Sequence, residues 1–457
     1  MRRDIDKDFR DQDGLPPWEP ESEQAVRFDD FFAYMPQHRF IFAPTRELWP
    51  ASSVNSRLPP MVENGEKLSA SAWLDRHQPV EQLTWFPGEP MIIRDKLVAE
   101  GGFIDRSGST IFNLYRPPGL LPGRSELAGP WLDHVRAVYP DNAEHIIRWL
   151  AHRVQKPGEK INHALLLGGP PGIGKDTLLH PVVHAVGAWN FAEVSPPQLL
   201  GRFNGFFKSV ILRVNEARDL GEIDRFAFYE HCKPLTAAPP EVLRCDEKNI
   251  REHSVLNVVG VIITSNYLTD GCYLPPDDRR HYVAWSKLPA AGEPGALDND
   301  YFQRLYRWYD EGGGNGHVAA YLREFDLSDF TAKAPPPKTA AFWEIVDANR
   351  SSGESEFSDA IDKMAEGNGG RPPPVFSTDK LTAHLPETLG TWVRDPKNRR
   401  IVPAMLEKIG YVRVPNPHTN NHLWKINQRR QVVYGLRSLS ERTRLDAAMD
   451  LYSSGEA

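Results

Sequence analysis

The segment GGPPGIGKDT at 168–177 constrains this chain of 457 residues more than any other stretch. Gly169, Gly174 and Lys175 satisfy G-x-x-x-x-G-K, and the spacing has a mechanical reason. Glycines let the backbone curl until its N–H groups face a phosphate. The following helix adds the positive end of its dipole, and the lysine reaches the β- and γ-phosphates. The pattern arises by accident in roughly one chain in ten of this length at ordinary residue frequencies, so its flanks matter. Apolar Ala164–Leu167 precedes it as a buried strand, and TLLHPVVHAV (177–186) follows as an apolar helix. The expected nucleotide-binding set is Gly169, Pro170, Pro171, Gly172, Ile173, Gly174, Lys175, Asp176 and Thr177. A Ser or Thr that ligates magnesium ordinarily follows the lysine, but here Asp176 stands there and Thr177 comes next. Either Thr177 supplies the hydroxyl or Asp176 holds the ion through water.

The elements that follow extend the reading. SVILRVNEARD (209–219) is a strand ending in Asn215-Glu216. Asn215 carries no charge, so Glu216 is expected to polarise the attacking water or hold magnesium, from a strand beside the phosphate-loop strand, with Asp219 in reserve. VVGVIITSN (258–266) is an apolar strand whose terminal Asn266 offers an amide to both the γ-phosphate and the water. Arg279 and Arg280 precede the strand HYVAWS (281–286), where an arginine suits charge stabilisation on a neighbouring subunit's phosphate. The plainer alternative is a turn salt-bridged to Asp277 and Asp278. These strands alternate with helices such as AEHIIRWLAHRVQ (143–155), capped by Asp141 or Asn142. The fold class expected is α/β, with a mostly parallel sheet around a P-loop NTPase core.

Phosphate loop, acidic strand and Asn-ended strand fall in order between Gly169 and Asn266. That compact order resembles the superfamily 3 helicases of phages and viruses. The segments LLLGGPPGIGKDTLL, ILRVNEARDLG, RCDEKNIREHSVLNVVGVIITSN and PPDDRRHYVAWS are similar to the helicase domains of phage and prophage primase-helicases. The resemblance covers about 25–310 and is most specific over 160–290. It implies an AAA+-like module that assembles as a ring, a hexamer, and moves on single-stranded DNA using ATP and Mg2+. In such proteins a hairpin before the Asn strand carries a lysine into the central channel. The matching stretch is LRCDEKNIREHS, which nominates Lys248, with Arg244 and Arg251 nearby. About 140 residues precede the ATPase block and show no paired-carboxylate metal pattern, so priming activity is not expected. A separate primase or polymerase is the implied replication partner.

Composition divides the remainder. The net charge of −7 speaks mildly against nucleic-acid binding. It conceals a gradient, because residues 371–457 carry fourteen Lys and Arg against eight Asp and Glu, or +6, leaving −13 elsewhere. Residues 1–24 read as a disordered acidic leader and 25–125 as a mixed α+β N-terminal region. Within the latter, IIRDKLVAEGG (92–102) reads as a helix, and GFIDRSGSTIFNLY (102–115) as a hairpin turning at Arg106-Ser107-Gly108. The ATPase domain is expected over 126–330, a Pro/Gly-rich linker over 331–375, and a basic winged-helix-like domain over 376–457. In that tail a helix from Ile401 to Ile409 precedes YVRV and HLWKI, which read as a hairpin around NPHTNN. Arg399, Arg400 and Lys425 are the expected DNA contacts, with Tyr411 and Trp424 placed for stacking. A small protein-docking domain is the bland alternative.

No apolar run reaches the ~18 residues of a membrane helix. Three cysteines without a CxxC pair, and no apolar leader, make a reducing cytoplasm the expected setting, and the resemblance implies a bacterial host cell. His145 and His152, seven apart on one helix, read as packing residues rather than ligands. Two other functions fit parts of the sequence. GKDT resembles the GKGT of nucleotide kinases, although no Arg-rich lid is evident. Asn215 and Asp176 also suit an ATP-binding, DNA-binding regulator that hydrolyses poorly. The leading expectation is an ATP-dependent DNA helicase that acts on single strands and on duplex at an origin.

Overall fold

The structure is a computed structural model that describes residues 26–99, 102–121, 123–215, 225–248, 250–268, 272–398 and 400–454. The leader expected at 1–24 lies outside the described residues. The chain divides into two compact units. One comprises residues up to 83 with 92–97 and 103–114, and the other comprises 84–91, 98–102 and 115 onward. Among the described residues, no helix is long and apolar enough to cross a membrane.

The first unit opens with an antiparallel meander of β1 (Phe31–Tyr34), β2 (Arg39–Phe42) and β3 (Glu47–Pro50). Two helices, α1 (Ala51–Arg57) and α2 (Ala70–His77), flank the hairpin of β4 (Met61–Glu63) and β5 (Glu66–Leu68). The short β6 (Pro79–Val80) then pairs in parallel with β1. Phe31, Phe40, Val54 and Leu74 form the buried core. A second sheet has the order β7 (Gln82–Thr84), β9 (Gly102–Asn113), β8 (Ile92–Ala99). The helix expected over 92–102 is therefore a strand, and the expected turn at 106–108 lies within one continuous strand. Cross-strand bonds overrode the local pattern: Gly108 N donates to Asp95 Oδ1 (2.8 Å) and Ser109 Oγ to the Lys96 carbonyl (2.9 Å).

The second unit begins with α3 (Gly129–Val138) and α4 (Ala143–Gln155). Asn142 caps α4 by position only. Its Oδ1 accepts instead from Tyr282 OH (2.8 Å). Next come β10 (Ala164–Gly168), α5 (Lys175–Val186), β11 (Phe191–Val194), the single-turn α6 (Pro196–Leu199), β12 (Ile211–Val214) and α7 (Arg225–Thr236). The antiparallel hairpin β13 (Val242–Glu247) and β14 (Ile250–Leu256) leads into β15 (Gly260–Ser265), followed by β16 (His281–Trp285). β10, β11, β12, β15 and β16 form one parallel sheet in the order β11-β12-β15-β10-β16. Four of these are the apolar runs read from the sequence, and β11 was not anticipated. The acidic strand was expected beside the loop strand. Instead β15 lies between β10 and β12. Leu165, Leu166 and Leu167 are at most 1% exposed. Burial at about 1.5–3 kcal/mol per leucine side chain anchors the strand that launches the loop.

Two helices, α8 (Asn299–Asp310) and α9 (Gly314–Glu324), complete the core. The expected linker is corrected in its centre, because α10 runs from Ala340 to Glu366. Thr339 caps it by accepting from Phe342 N (3.2 Å). Phe342, Ile345 and Val346, then Phe357, Ala360, Ile361 and Met364, are buried at helical spacing that the polar composition masks. The tail then holds β17 (Val375–Ser377), α11 (Thr378–Thr382), α12 (Glu387–Arg394), α13 (Ile401–Lys408), β18 (Tyr411–Val414), β19 (Trp424–Ile426), β20 (Arg429–Gln431), β21 (Val433–Leu436) and α14 (Glu441–Ser454). The hairpin expected between YVRV and HLWKI does not form. β18 pairs with β21, and β19 with β20 across a tight turn in which Asn427 and Gln428 take positive φ.

Candidate functional site: a glycine-loop cleft

The loop between β10 and α5 lies at the carboxyl end of the parallel sheet. Gly169 and Gly174 have φ of 145° and 95°, a region L side chains rarely adopt. A Cβ on Gly169 would meet Ile173 Cδ1 at 2.6 Å, and one on Gly174 would meet His134 Cε1 at 2.5 Å. Both positions thus require glycine twice over, by conformation and by space. Helix α5 starts at Lys175, so its unpaired amide groups face the cleft.

Lys175 is buried, and its ammonium donates to the carbonyls of Gly169 (2.7 Å) and Pro170 (3.0 Å) and to Asn266 Oδ1 (2.7 Å). Two residues 91 positions apart, both nominated from the sequence, therefore meet. The register explains it: Gly168 on β10 lies opposite Ser265 on β15, so the residue after each strand enters the same mouth. The cleft has a volume of about 390 Å³, within the range of small-molecule sites, and Pro171, Gly172, Thr177, Thr264, Phe302 and Tyr306 also line it. Thr177 Oγ1 lies 3.3 Å from Tyr306 OH. Asp176 is largely exposed and forms an ion pair with Arg213 of β12, whose other amine reaches Glu193 Oε1 (3.1 Å).

Sequence reasoning missed two supporting residues. His134 on α3 contacts the Gly174 carbonyl through Nε2 (2.9 Å) and Tyr301 OH through Nδ1 (2.9 Å). A carbonyl only accepts, so Nε2 carries the proton, and burial keeps the ring neutral by lowering its pKa. No sequence signal marks this residue. Arg213 did carry one, as the single charge inside an apolar strand.

The other nominated residues are placed apart. Glu216 and Asp219 lie outside the described residues, as does Arg399. Asn215 Oδ1 is buried without a partner among the described residues. Arg279 and Arg280 precede β16, whose first residue pairs with Ala164, at the opposite end of the sheet from Gly168. Among the described residues, neither arginine forms an ion pair with Asp277 or Asp278, the plainer alternative read from the sequence. Asp278 is buried and accepts from Tyr229 OH (2.9 Å), His281 Nδ1 (3.2 Å) and the Arg280 and His281 amides (3.0 Å each). Its own burial opposes ionisation, but His281 and these donors outweigh it and hold the carboxyl down at about 2.

Lys248 is exposed at the tip of the β13–β14 hairpin. Arg244 on β13 pairs with Glu252 (3.2 Å), and the Arg251 side chain lies outside the described residues. In the tail Arg400 and Lys425 are exposed. Tyr411 and Trp424 are not available for base stacking. Both are buried, donating to the carbonyls of Pro373 (3.0 Å) and Val414 (2.7 Å).

A model of a family described as of unknown function (DUF5906) matches residues 166–280, about a quarter of the chain. No curated protein matches by sequence. Among solved structures, the apo NrS-1 C-terminal region (305–718) is similar with a TM-score of 0.55 at 16% identity, covering 89% of this chain and 95% of that one. The A form of the same region gives 0.53 at 14%, covering 89% and 96%. The chain and the NrS-1 region therefore share a fold over most of their lengths. JCV helicase bound to an inhibitor shows a slighter, partial likeness, with a TM-score of 0.30 at 14% identity, covering 54% of this chain and 66% of its own.

Proposed function

We propose that the chain is an ATP-dependent DNA helicase or translocase of the superfamily 3 kind, serving the replication of a phage or prophage. The observation that carries this reading is the meeting of Lys175 and Asn266 over a glycine loop at a helix N-terminus. A kinase or a helicase would share the loop. The asparagine at the tip of the central strand, beside the phosphate lysine, favours a motor that senses the γ-phosphate. In this reading the loop amides and Lys175 bind the triphosphate, and Asn266 orients the attacking water. Glu216 takes its proton. Bound Mg2+ supplies charge neutralisation, and the Thr177 hydroxyl and Glu216 are the groups suited to hold it. Arg279 and Arg280, remote from their own cleft, act on the cleft of the next subunit in a ring, a hexamer. The tail, whose three helices α11–α13 lie in sequence between β17 and the other two strands, β18 and β21, of a three-stranded antiparallel sheet, serves as a winged-helix-like DNA-binding domain.

Purified chain is expected to hydrolyse ATP faster with single-stranded DNA and to displace a strand from forked DNA with matched 3′ and 5′ tails. ATP binding without turnover on any nucleic acid would overturn this reading in favour of the regulator. Phosphorylation of a nucleoside or nucleotide without DNA would favour the kinase. Lys248→Ala removes a hairpin-tip cation and is expected to weaken single-strand affinity roughly tenfold and flatten its salt dependence. Fluorescence anisotropy across a salt series measures both.

A further inference from the structure

We infer that Arg213 is a triphosphate-contacting residue of the cleft, and that Asp176 is its positioning partner rather than a magnesium ligand. The inference rests on the ATP-hydrolysing reading and assigns within it a cation that no motif nominates.

The geometry begins with the strand order. β12 is separated from β10 by β15, so a short side chain on β12 would stop short of the loop. Arg213 is long enough to cross, and it lines the same cleft as Lys175, Thr177 and Asn266. Its side chain is only 12% exposed, and two carboxylates on different elements fix it: Asp176 on α5 through Nη2 and Glu193 on β11 through Nη1. These pairs use two of the five guanidinium N–H groups. Nε lies buried with no hydrogen-bond partner among the described residues. A guanidinium with donors left over, held at the edge of a phosphate cradle, matches the charge and the planar fork that phosphate oxygens accept.

Asp176 fits the same account. A carboxylate one residue past the phosphate lysine repels a triphosphate unless its charge is cancelled. The exposed Asp176 side chain leans onto Arg213, which cancels that charge and fixes the guanidinium at the cleft wall. Asp176 Oδ1 is engaged by the arginine, and that pair sets the direction of the carboxylate. Thr177, buried one residue further along the helix, remains as the hydroxyl ligand.

The test measures binding of fluorescent ATP and ADP analogues to the full chain over a magnesium series, together with kcat and KM. Arg213→Ala is expected to raise the Kd for ATP about tenfold, and Arg213→Lys to recover part of that loss. Asp176→Asn is expected to raise it several-fold without shifting the magnesium midpoint. In the double variant Asp176→Asn/Arg213→Ala the two effects should be clearly less than multiplicative, since each removes the same contact. A magnesium midpoint shifted by Asp176→Asn, whatever stands at 213, would make Asp176 a metal ligand and overturn the assignment. Unchanged ATP affinity in a folded Arg213→Ala would also overturn it. Lys175→Ala separates this failure from that of the underlying reading. If Lys175→Ala loses ATP while Arg213→Ala does not, the phosphate loop stands and the inference falls. If Lys175→Ala binds ATP normally, both fall.

Discussion

Lys175→Ala is expected to abolish ATP hydrolysis and to weaken ATP binding roughly 10- to 100-fold. The ammonium is the central cation of the loop, and a hydrogen bond to a charged group contributes about 1.5–3 kcal/mol. It ties together two loop carbonyls and the Asn266 amide. Its removal therefore also frees the Asn266 side chain from the loop. Asn266→Ala provides the comparison, with turnover expected to fall much more than ATP affinity. Equilibrium titration with a fluorescent ATP analogue, alongside steady-state phosphate release, checks both variants. Normal turnover in Lys175→Ala would mean that ATP is hydrolysed elsewhere than in this cleft, and would overturn the reading of the glycine loop.

The second large effect is on stability in acid. His145, His152 and His163 cluster around Phe330, and His145 Nε2 lies 3.0 Å from His163 Nε2. One neutral ring donates and the other accepts, so protonating both would set two N–H groups against each other. Burial first, then Arg148, lowers the His145 pKa to about 4. Burial with Arg153 and Lys156 lowers that of His152 to about 3, and burial with the neighbouring histidines lowers that of His163 to about 3. Unfolded histidine takes up a proton near pH 6.5. Above that pH the rings are neutral in both states and cost nothing. As pH falls towards 4 the unfolded chain gains protons that the folded chain refuses, so stability falls. Each ring contributes a slope of up to about 1.4 kcal/mol per pH unit. Urea midpoints should drop steadily from pH 7 to 5, and His145→Gln/His163→Gln should flatten that drop. Equal midpoints at pH 7 and pH 5 would contradict this.

The parts legible in the sequence were those where local chemistry and tertiary structure agree. ALLLGG followed by a glycine loop can do little else, and helix 143–155 forms over the residues its periodicity marked. Asn266 could be placed because a strand end has only one neighbour set. The failures share a cause. Strand 92–99 and helix 340–366 have their local signals reversed by partners distant in sequence: cross-strand bonds in the first and burial of Phe357, Ile361 and Met364 in the second. The order of strands within the sheet was equally hidden, and with it the reach of Arg213 into the cleft. Tyr411 and Trp424 misled because an aromatic among basic residues looks the same in sequence whether it faces nucleic acid or a core.

β15 has a mechanical consequence. Its hydrogen-bonded run ends one residue before Asn266, and its beginning continues from the hairpin that carries Lys248. Six residues at about 3.3 Å each make a rod of about 20 Å. The near end of that rod is pinned. Lys160, itself buried, donates to the Val259 carbonyl (2.6 Å), to Asn257 Oδ1 (3.0 Å) and to the Leu235 carbonyl. Asn257 Nδ2 in turn donates to the carbonyls of Pro234 and Pro240 (2.8 Å each). A hairpin rooted in so many fixed points behaves as a cantilever, not as a loose flap. In a motor of the proposed kind, a displacement at the phosphate end would reach the hairpin root along a stiff, buried strand, and the hairpin would move with that root rather than flex at it.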